Sequence, residues 1–112
     1  MTNHIVPCEY VHVSVDHLPP DDFRAAADLL RALGNQHRVA IVSALAREPH
    51  CVHELVDALG IDQPLVSQHL KVLRSARLLV TERRGKEIVY SLADAHVAHI
   101  VGDAITHAQE PT

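Results

Sequence analysis

The chain is rich in side chains that can bind metal ions. It has ten histidines, two cysteines and 14 acidic residues among 112 positions. Thiolate, neutral imidazole and carboxylate are the ligands that zinc takes in proteins, and imidazole and carboxylate also suit cobalt and nickel. A high histidine content does not make a site by itself, so spacing has to decide. Two groups have a spacing that suits a metal ion.

The first group lies on a C-terminal segment that we predict as a helix, capped by Asp94 and running to about residue 109. Its competent ligands are Asp94, His96, His107 and Glu110. His107 and Glu110 are three residues apart and so share one helix face. The two pairs are separated by roughly 16 Å along a helix, whereas metal–ligand bonds are about 2 Å long.

One protomer therefore cannot bring all four side chains to one ion. An antiparallel copy of the helix would place the partner's His107 and Glu110 beside Asp94 and His96, and a two-fold dimer would then contain two identical four-ligand sites. The alternative is that these are ordinary surface side chains of an amphipathic helix.

The second group joins the N-terminus to the middle of the chain. Its predicted ligands are Cys8, His12, Cys51 and Glu54. Cys51 and Glu54 lie three apart on a predicted helix and can face one point, with His50 and His53 as substitutes nearby in sequence. Two alternatives stay open. In the first, Cys8 is a chance cysteine on an unstructured arm and Cys51 is a small apolar side chain. In the second, the two thiols sense arsenite or redox state.

Several short helices would position these groups. Residues 1–20 contain three prolines and are predicted to form an N-terminal arm, followed by one folded domain over residues 21–110. Asp21 and Asp22 can cap a first helix that ends near residue 33. Its predicted inward face consists of Phe23, Ala26, Leu29, Leu30 and Leu33. A second helix is predicted over about residues 36–47.

The middle of the chain predicts a helix-turn-helix. A short helix over residues 51–59 is followed by Gly60, which permits a tight turn, and by a second helix from the cap Asp62 to about residue 75, with Leu65 among its inward residues. Two β-rich runs, residues 78–81 and 87–92, then flank a basic loop at 82–86, which indicates a hairpin. The predicted fold class is mainly α with a β-hairpin: a winged helix-turn-helix of order α-α-α-α-β-β-α, assembled as a homodimer.

Charge is distributed unevenly along the chain. The net charge is −4, yet six of the ten lysines and arginines fall between residues 71 and 86, where only Glu82 opposes them. In a helix-turn-helix the second helix enters the major groove, where Gln and Lys can pair with base edges. The predicted DNA contacts are Gln63, Ser67, Gln68, His69, Lys71, Arg83, Arg84 and Lys86, with His69 better suited to packing or phosphate. A merely solvated charged face is the alternative.

Other classes of protein fit the sequence less well. No apolar run approaches the ~18 residues of a membrane span, and no basic start precedes an apolar stretch, so we expect a cytoplasmic protein without a membrane partner. The chain lacks a helical His-Glu-x-x-His, a nucleophile elbow and a phosphate loop, and we do not expect an enzyme. A metal-storage protein would leave the basic segment unexplained.

Three runs of the sequence resemble the ArsR/SmtB family of metal-sensing repressors: CVHEL at 51–55, QPLVSQHLKVL at 63–73 and GKEIVYSL at 85–92. The resemblance covers about residues 21–110 and, in its metal positions, is closest to the SmtB-like zinc branch. It implies a winged homodimer that binds operator DNA without metal and releases it when zinc binds, with cobalt, nickel and cadmium as alternatives.

The resemblance also bears on both candidate sites. The family's Asp-x-His…His-x-x-Glu pattern on the last helix matches Asp94, His96, His107 and Glu110. In the second site, Glu54 stands where the family usually has an aspartate. A single cysteine in the Cys51-x-His53 motif departs from the arsenic- and cadmium-sensing type, which has more thiolates there.

Overall fold

The computed structural model describes residues 19–111 and contains five helices and three strands within that range. In chain order they are α1 Pro20–Leu33, α2 Gln36–Arg47, β1 His50–Cys51, α3 Val52–Leu59, α4 Gln63–Ser75, β2 Leu79–Arg84, β3 Glu87–Leu92 and α5 Ala95–Gln109. Cys8 and His12, and nearly all of the predicted arm, lie outside the described residues. None of the described helices is long and apolar enough to cross a membrane.

Side-chain caps define the starts of α2 and α5. The Asn35 side chain accepts hydrogen bonds from the backbone N–H groups of His37 and Arg38 at 2.9 and 3.2 Å, so α2 starts with only Gly34 and Asn35 between it and α1. The prediction that Asp21 and Asp22 cap α1 is wrong. The helix begins at Pro20, and both carboxylates lie in its first turn, where they interact favourably with the helix dipole.

The hydrophobic core lies between α2, α3, α4 and the start of β2, and α5 packs against α2. Its largest fully buried side chains are Ile41, Val42, Leu55, Val66, Leu70, Leu73 and Leu78. Leu65 was predicted to face inward but is 37% exposed. The inward face of α4 follows residues 66, 70 and 73 at helical spacing, and residue 65 lies beside that row.

The helix-turn-helix is formed by α3 and α4. Gly60 ends α3 in the left-handed region with φ of 68°, which allows the chain to turn at once into α4. Cys51 was predicted as the first residue of α3, but it belongs to β1 and occupies the N-cap position of the helix. Glu54 accepts a hydrogen bond from the Cys51 backbone N–H at 2.9 Å, forming half of a capping box.

The wing is a small antiparallel sheet of order β1-β3-β2. The sequence predicted a five-residue loop at its tip. Instead, β2 extends through Arg84, and only Gly85 and Lys86 connect it to β3. Gly85 has φ of 63°, as the first residue of a tight two-residue hairpin turn requires. The added strand β1 pairs Cys51 with Val89, which fixes the start of α3 against the wing.

A defined turn joins α4 to the wing. Arg77 adopts the left-handed region with φ of 64°, and the Leu78 backbone N–H donates to the Leu73 carbonyl at 3.0 Å. With the Arg77 N–H donating to the Arg74 carbonyl at 2.9 Å, this completes a Schellman motif. Leu73 and Leu78 are both buried and in positions that normally make contact in this motif. The direction of the wing relative to α4 is therefore fixed by packing.

Candidate metal sites and DNA-binding surface

The ends of α5 each carry one pair of metal-competent side chains. At its start, His96 Nδ1 lies 3.4 Å from Asp94 Oδ1, and at its end His107 Nδ1 lies 3.9 Å from Glu110 Oε1. All four side chains are exposed to solvent. Asp94 also caps the helix, since its Oδ1 accepts from the Val97 N–H at 3.3 Å. Each pair is close enough to share an ion.

The two pairs do not meet within one protomer. Among residues 19–111, the only group of three or more close metal-competent side chains is elsewhere, on Cys51, His53 and Glu87. The two α5 pairs lie at opposite ends of this 15-residue helix. The two pairs are as far apart as the spacing predicted, while the four-ligand site across two chains stays a prediction.

The second predicted site is only partly described. Cys51 is 5% exposed, and Glu54 is engaged as a cap for the Cys51 backbone. The Glu54 carboxylate also lies 3.6 Å from His50 Nδ1. The sequence missed Glu87, whose Oε1 lies 3.0 Å from His53 Nδ1, while that nitrogen lies 3.2 Å from Cys51 Sγ. The sequence contains no local signal that pairs residues 53 and 87, because only the contact between β1 and β3 brings them together.

The electrostatics of this region follow from the same contacts. Burial raises the pKa of the Cys51 thiol above its usual value, and the hydrogen bond with the Glu87 carboxylate acts in the same direction. The backbone hydrogen bond from Cys51 lowers the pKa of Glu54. A buried thiol that holds its proton is a poor nucleophile, so Cys51 lacks the features of a reactive redox cysteine.

The exposed face of α4 carries the predicted base-reading residues. Gln63, Ser67, Gln68 and Lys71 are all exposed on it. A groove between α4 and the sheet continues this surface, lined by Ser67, Lys71, Arg74 and Tyr90 among others. Polar and cationic side chains therefore run from the recognition helix toward the wing, as a surface that binds phosphate and base edges needs.

His69 is a correction to the predicted DNA contacts. It is only 8% exposed, because it lies on the inward side of α4. The Arg38 Nη1 donates to His69 Nδ1 at 3.2 Å, and since Arg has no acceptor, the neutral ring must carry its proton on Nε2. Within residues 19–111 that buried Nε2 has no hydrogen-bond partner. The imidazole joins α2 to α4 instead of facing DNA.

The cations of the wing differ from one another. Arg83 pairs in register with Ile88 and Arg84 with Glu87, so the two arginines point to opposite faces of the hairpin. Arg84 Nη2 lies 3.1 Å from Glu82 Oε1 on the same face. In the described part of the chain, Arg83 and Lys86 form no ion pair. They are the wing's least compensated charges.

Part of α1 is not covered by any other residue in the described range 19–111. Leu33 and Ala32 face the core, but Phe23 is 47% exposed and Leu30 is 55% exposed. The predicted single inward face is thus divided between two sides of the helix. On α5, Ile100 is also exposed. Large apolar side chains on an exposed helix face mark an interaction surface.

Comparison with known proteins places the chain in a family. The model of the bacterial regulatory proteins of the arsR family matches residues 35–80, which span α2, α3, α4 and the start of the wing. The HTH-type transcriptional repressor SmtB of Mycobacterium tuberculosis is 55% identical over 92 residues, covering 82% of this chain and 68% of the relative. The chain belongs to the ArsR family.

Further ArsR relatives support the same assignment. The HTH-type transcriptional regulator NmtR of Mycobacterium tuberculosis is 42% identical over 93 residues, covering 80% of this chain and 78% of NmtR. A homodimeric winged helix-turn-helix DNA-binding domain from Mycobacterium bovis has a TM-score of 0.74 and 27% identity, with 80% of this chain and 83% of that chain covered. The predicted family, its SmtB-like branch and the winged helix-turn-helix fold are confirmed.

Proposed function

We propose that this ArsR-family protein is a metal-responsive transcriptional repressor. Its metal-free homodimer binds operator DNA through α4 and the wing, and a divalent ion bound between the α5 helices of two protomers releases the DNA. The relatives that are named transcriptional repressors and regulators, and the homodimeric DNA-binding neighbour, support the DNA-binding dimer.

One observation carries the metal site: two ligand pairs lie at the two ends of one helix, each pair within reach of a single ion. Two imidazoles and two carboxylates form a donor set that suits tetrahedral Zn²⁺. We propose zinc as the ion, with Asp94 and His96 of one protomer and His107 and Glu110 of the other as ligands. The same donors accept Co²⁺ and Ni²⁺, so selectivity depends on geometry and metal supply.

Dimer geometry links the metal to DNA binding. A dimer reads two half-sites in successive major grooves, so the distance between its α4 helices must match about one turn of DNA. α5 packs against α2, and α2 packs against α4, so a constraint on the pair of α5 helices reaches α4 through packed side chains. Linkage then requires that DNA weakens metal binding by the same factor as metal weakens DNA binding.

A thiol-based sensor on the same fold is the second candidate, and the observations favour it less. It needs a reactive Cys51, which is buried and whose pKa is raised. The SmtB and NmtR relatives support the metal-responsive interpretation. An enzyme is also disfavoured, since the relatives are named as transcriptional regulators.

The test measures how metal ions change the affinity of the protein for DNA. A duplex selected from a random pool on the metal-free protein is titrated by fluorescence anisotropy, with and without Zn²⁺, Co²⁺ or Ni²⁺. Zinc should weaken binding by about 5–150-fold, the usual range of allosteric coupling. His96→Ala should bind the duplex normally without metal and lose most of this release.

The control is His99→Ala, which removes another exposed histidine of α5 and should retain full release by zinc. Asp94→Ser separates two roles, because serine still caps the helix but no longer offers a carboxylate. Undiminished release by zinc in both His96→Ala and Asp94→Ser would contradict the proposed site.

A further inference from the structure

We propose that Arg38 and His69 position the recognition helix for DNA binding, because their contact ties α4 to α2 and to the end of α1. The inference rests on the proposed DNA binding by α4. It adds two positioning residues that lie outside the exposed, base-reading face of that helix and outside the proposed metal site.

Arg38 is fixed in place on its own side of the contact. Its backbone N–H donates to the Asn35 side chain at 3.2 Å, and its Nε donates to the Ala32 carbonyl in the last turn of α1. The last carbonyls of a helix lack partners within it, and a cation there interacts favourably with the helix dipole. Nη1 of the same side chain donates to His69 Nδ1 at 3.2 Å. One guanidinium therefore joins α1, α2 and α4.

His69 is an unusual residue for a core position. It shares the inward side of α4 with Val66, Leu70 and Leu73 and is only 8% exposed. Among residues 19–111 its Nε2 has no hydrogen-bond partner, and a buried unpaired donor destabilises a fold. An apolar side chain of similar size would avoid that loss. Stability alone therefore does not account for the imidazole, whereas its directed bond to Arg38 does.

His37 restrains the same imidazole from a second direction. The centroids of the His37 and His69 rings lie 5.5 Å apart, with 46° between the ring planes. The backbone N–H of His37 donates to the Asn35 side chain at 2.9 Å, as that of Arg38 does at 3.2 Å. Both contacts to His69 thus come from the first turn of α2, whose backbone is fixed by one cap.

Small rotations of α4 matter for base reading. Gln68 and Lys71 lie on its exposed face. A side-chain atom lies about 5–6 Å from the helix axis, so a rotation of about 10° moves it by about 1 Å. Hydrogen bonds tolerate a spread of only about 0.5 Å in donor–acceptor distance. Apolar packing has no preferred direction, whereas the bond from Arg38 does, so this bond restricts the rotation.

The alternative is a contact that only stabilises the fold. In that case its loss would lower the free energy of unfolding and leave the DNA affinity of the folded protein unchanged. A positioning role instead predicts a loss of sequence-specific binding in protein that is fully folded.

The experiment compares two duplexes by fluorescence anisotropy with metal-free, full-length protein at pH 7.5. One duplex is selected on the parent, and the other has a random sequence of the same length. Arg38→Lys keeps the charge but loses the rigid fork that reaches two acceptors, and His69→Leu removes the acceptor.

Each change should weaken binding to the selected duplex by at least about fourfold, since residues that act at a distance contribute roughly 2–30-fold and a two-fold dimer counts the change twice. Binding to the random duplex depends on charge and should stay within about twofold.

His69→Asn and Arg47→Lys are the matched controls. Asparagine can present its carbonyl oxygen where Nδ1 lies and should retain most of the affinity for the selected duplex. Arg47 is an exposed arginine of the same helix as Arg38, and its change to lysine should have no effect. In Arg38→Lys/His69→Leu the loss should equal the larger single loss, because both changes remove one contact. Urea denaturation checks that each variant is folded, and Arg38→Lys decides the test if His69→Leu does not fold.

Full affinity of Arg38→Lys and His69→Leu for the selected duplex would overturn this inference alone. Equal losses on both duplexes would show general damage, and additive losses in the double variant would show two independent effects. Either result also contradicts the positioning role. A parent that does not prefer the selected duplex would instead refute the proposed DNA binding, and this inference with it.

Discussion

At the scale of single residues, the same type of side chain serves different purposes in different surroundings. His96 and His107 lie exposed at the ends of α5, each beside a carboxylate. His53 lies between a thiol and a carboxylate. His69 is buried and accepts a hydrogen bond from Arg38. The histidine content suggested metal chemistry. In the structure, some histidines lie where they could bind a metal ion, whereas His69 packs inside the protein.

His69 predicts a dependence of stability on pH. Burial lowers the pKa of its imidazole, and the positive charge of Arg38 and the neighbouring His37 act in the same direction. The unfolded chain, with a pKa of about 6.5 for this group, therefore binds more protons than the native protein as pH falls below 7. The free energy of unfolding should drop through this range.

Urea denaturation of metal-free protein at pH 7.5, 6.5 and 5.5 measures this effect. His69→Gln should be less stable than the parent at pH 7.5, and the gap should narrow at pH 5.5. His99→Gln, the same change on an exposed face, should follow the parent. A constant gap between His69→Gln and the parent would show that His69 is not the titrating group.

At the scale of elements, the wing carries cations that would attract DNA, and part of their positive charge is neutralised by an acidic residue of the wing itself. Glu82 pairs with Arg84, while Arg83 points to the other face without such a partner in the described part of the chain. An exposed ion pair of this type contributes at most about 1 kcal/mol to folding. The pair is therefore expected to matter more for the wing's charge than for its stability.

We expect unequal effects of the two wing arginines on DNA binding. Arg83→Ala should weaken binding to all sequences and reduce the salt slope by about 1, as the loss of one phosphate contact does. Arg84→Ala should have a smaller effect, because Glu82 already offsets that charge. Glu82→Gln should tighten binding and steepen the slope.

Binding isotherms at several salt concentrations on one duplex provide the measurement. Double substitution of Arg83 and Arg84 by alanine serves as the reference for a wing without these charges. If the parent and this double variant show the same salt dependence of DNA binding, the wing does not belong to the DNA-binding surface.

At the scale of the whole molecule, two features of the described residues bear on the proposed dimer. The Asp94–His96 and His107–Glu110 pairs lie at opposite ends of α5, and Phe23 and Leu30 on α1 are exposed. In the proposed homodimer, the second protomer would cover the apolar face of α1 and bring the opposite ends of two α5 helices together. The proposed sensing mechanism is therefore a property of the dimer.

Leu30→Glu should dissociate the dimer. Burying a leucine stabilises an assembly by about 1.5–3 kcal/mol, and a two-fold interface loses this twice. A loss of about 3 kcal/mol or more raises the dissociation constant at least about a hundredfold. Sedimentation velocity at micromolar concentration should then show protomers. Val80→Glu, at an exposed apolar residue of the wing, is the control that should stay dimeric.

The sequence by itself determined the elements whose signals are local. The predicted spans of α2, α4 and α5 agree with the structure because each helix start has a local signal. These signals are Asn35 for α2, Pro64 for α4 and Asp94 for α5. Gly60 marks the turn between α3 and α4. The spacing on α5 likewise predicted that the Asp94–His96 and His107–Glu110 pairs stay apart within one protomer, since helix length alone separates them.

Only the tertiary structure decided which distant residues meet. The pairing of β1 with β3 brought Glu87 to Cys51 and His53, and the packing of α2 on α4 put His69 beside Arg38 inside the protein. The extension of β2 through Arg84 replaced the predicted loop. Helix caps act over three or four residues, so the sequence shows them directly. These contacts instead depend on how whole elements pack, and the pattern of one segment does not reveal which other segment it contacts.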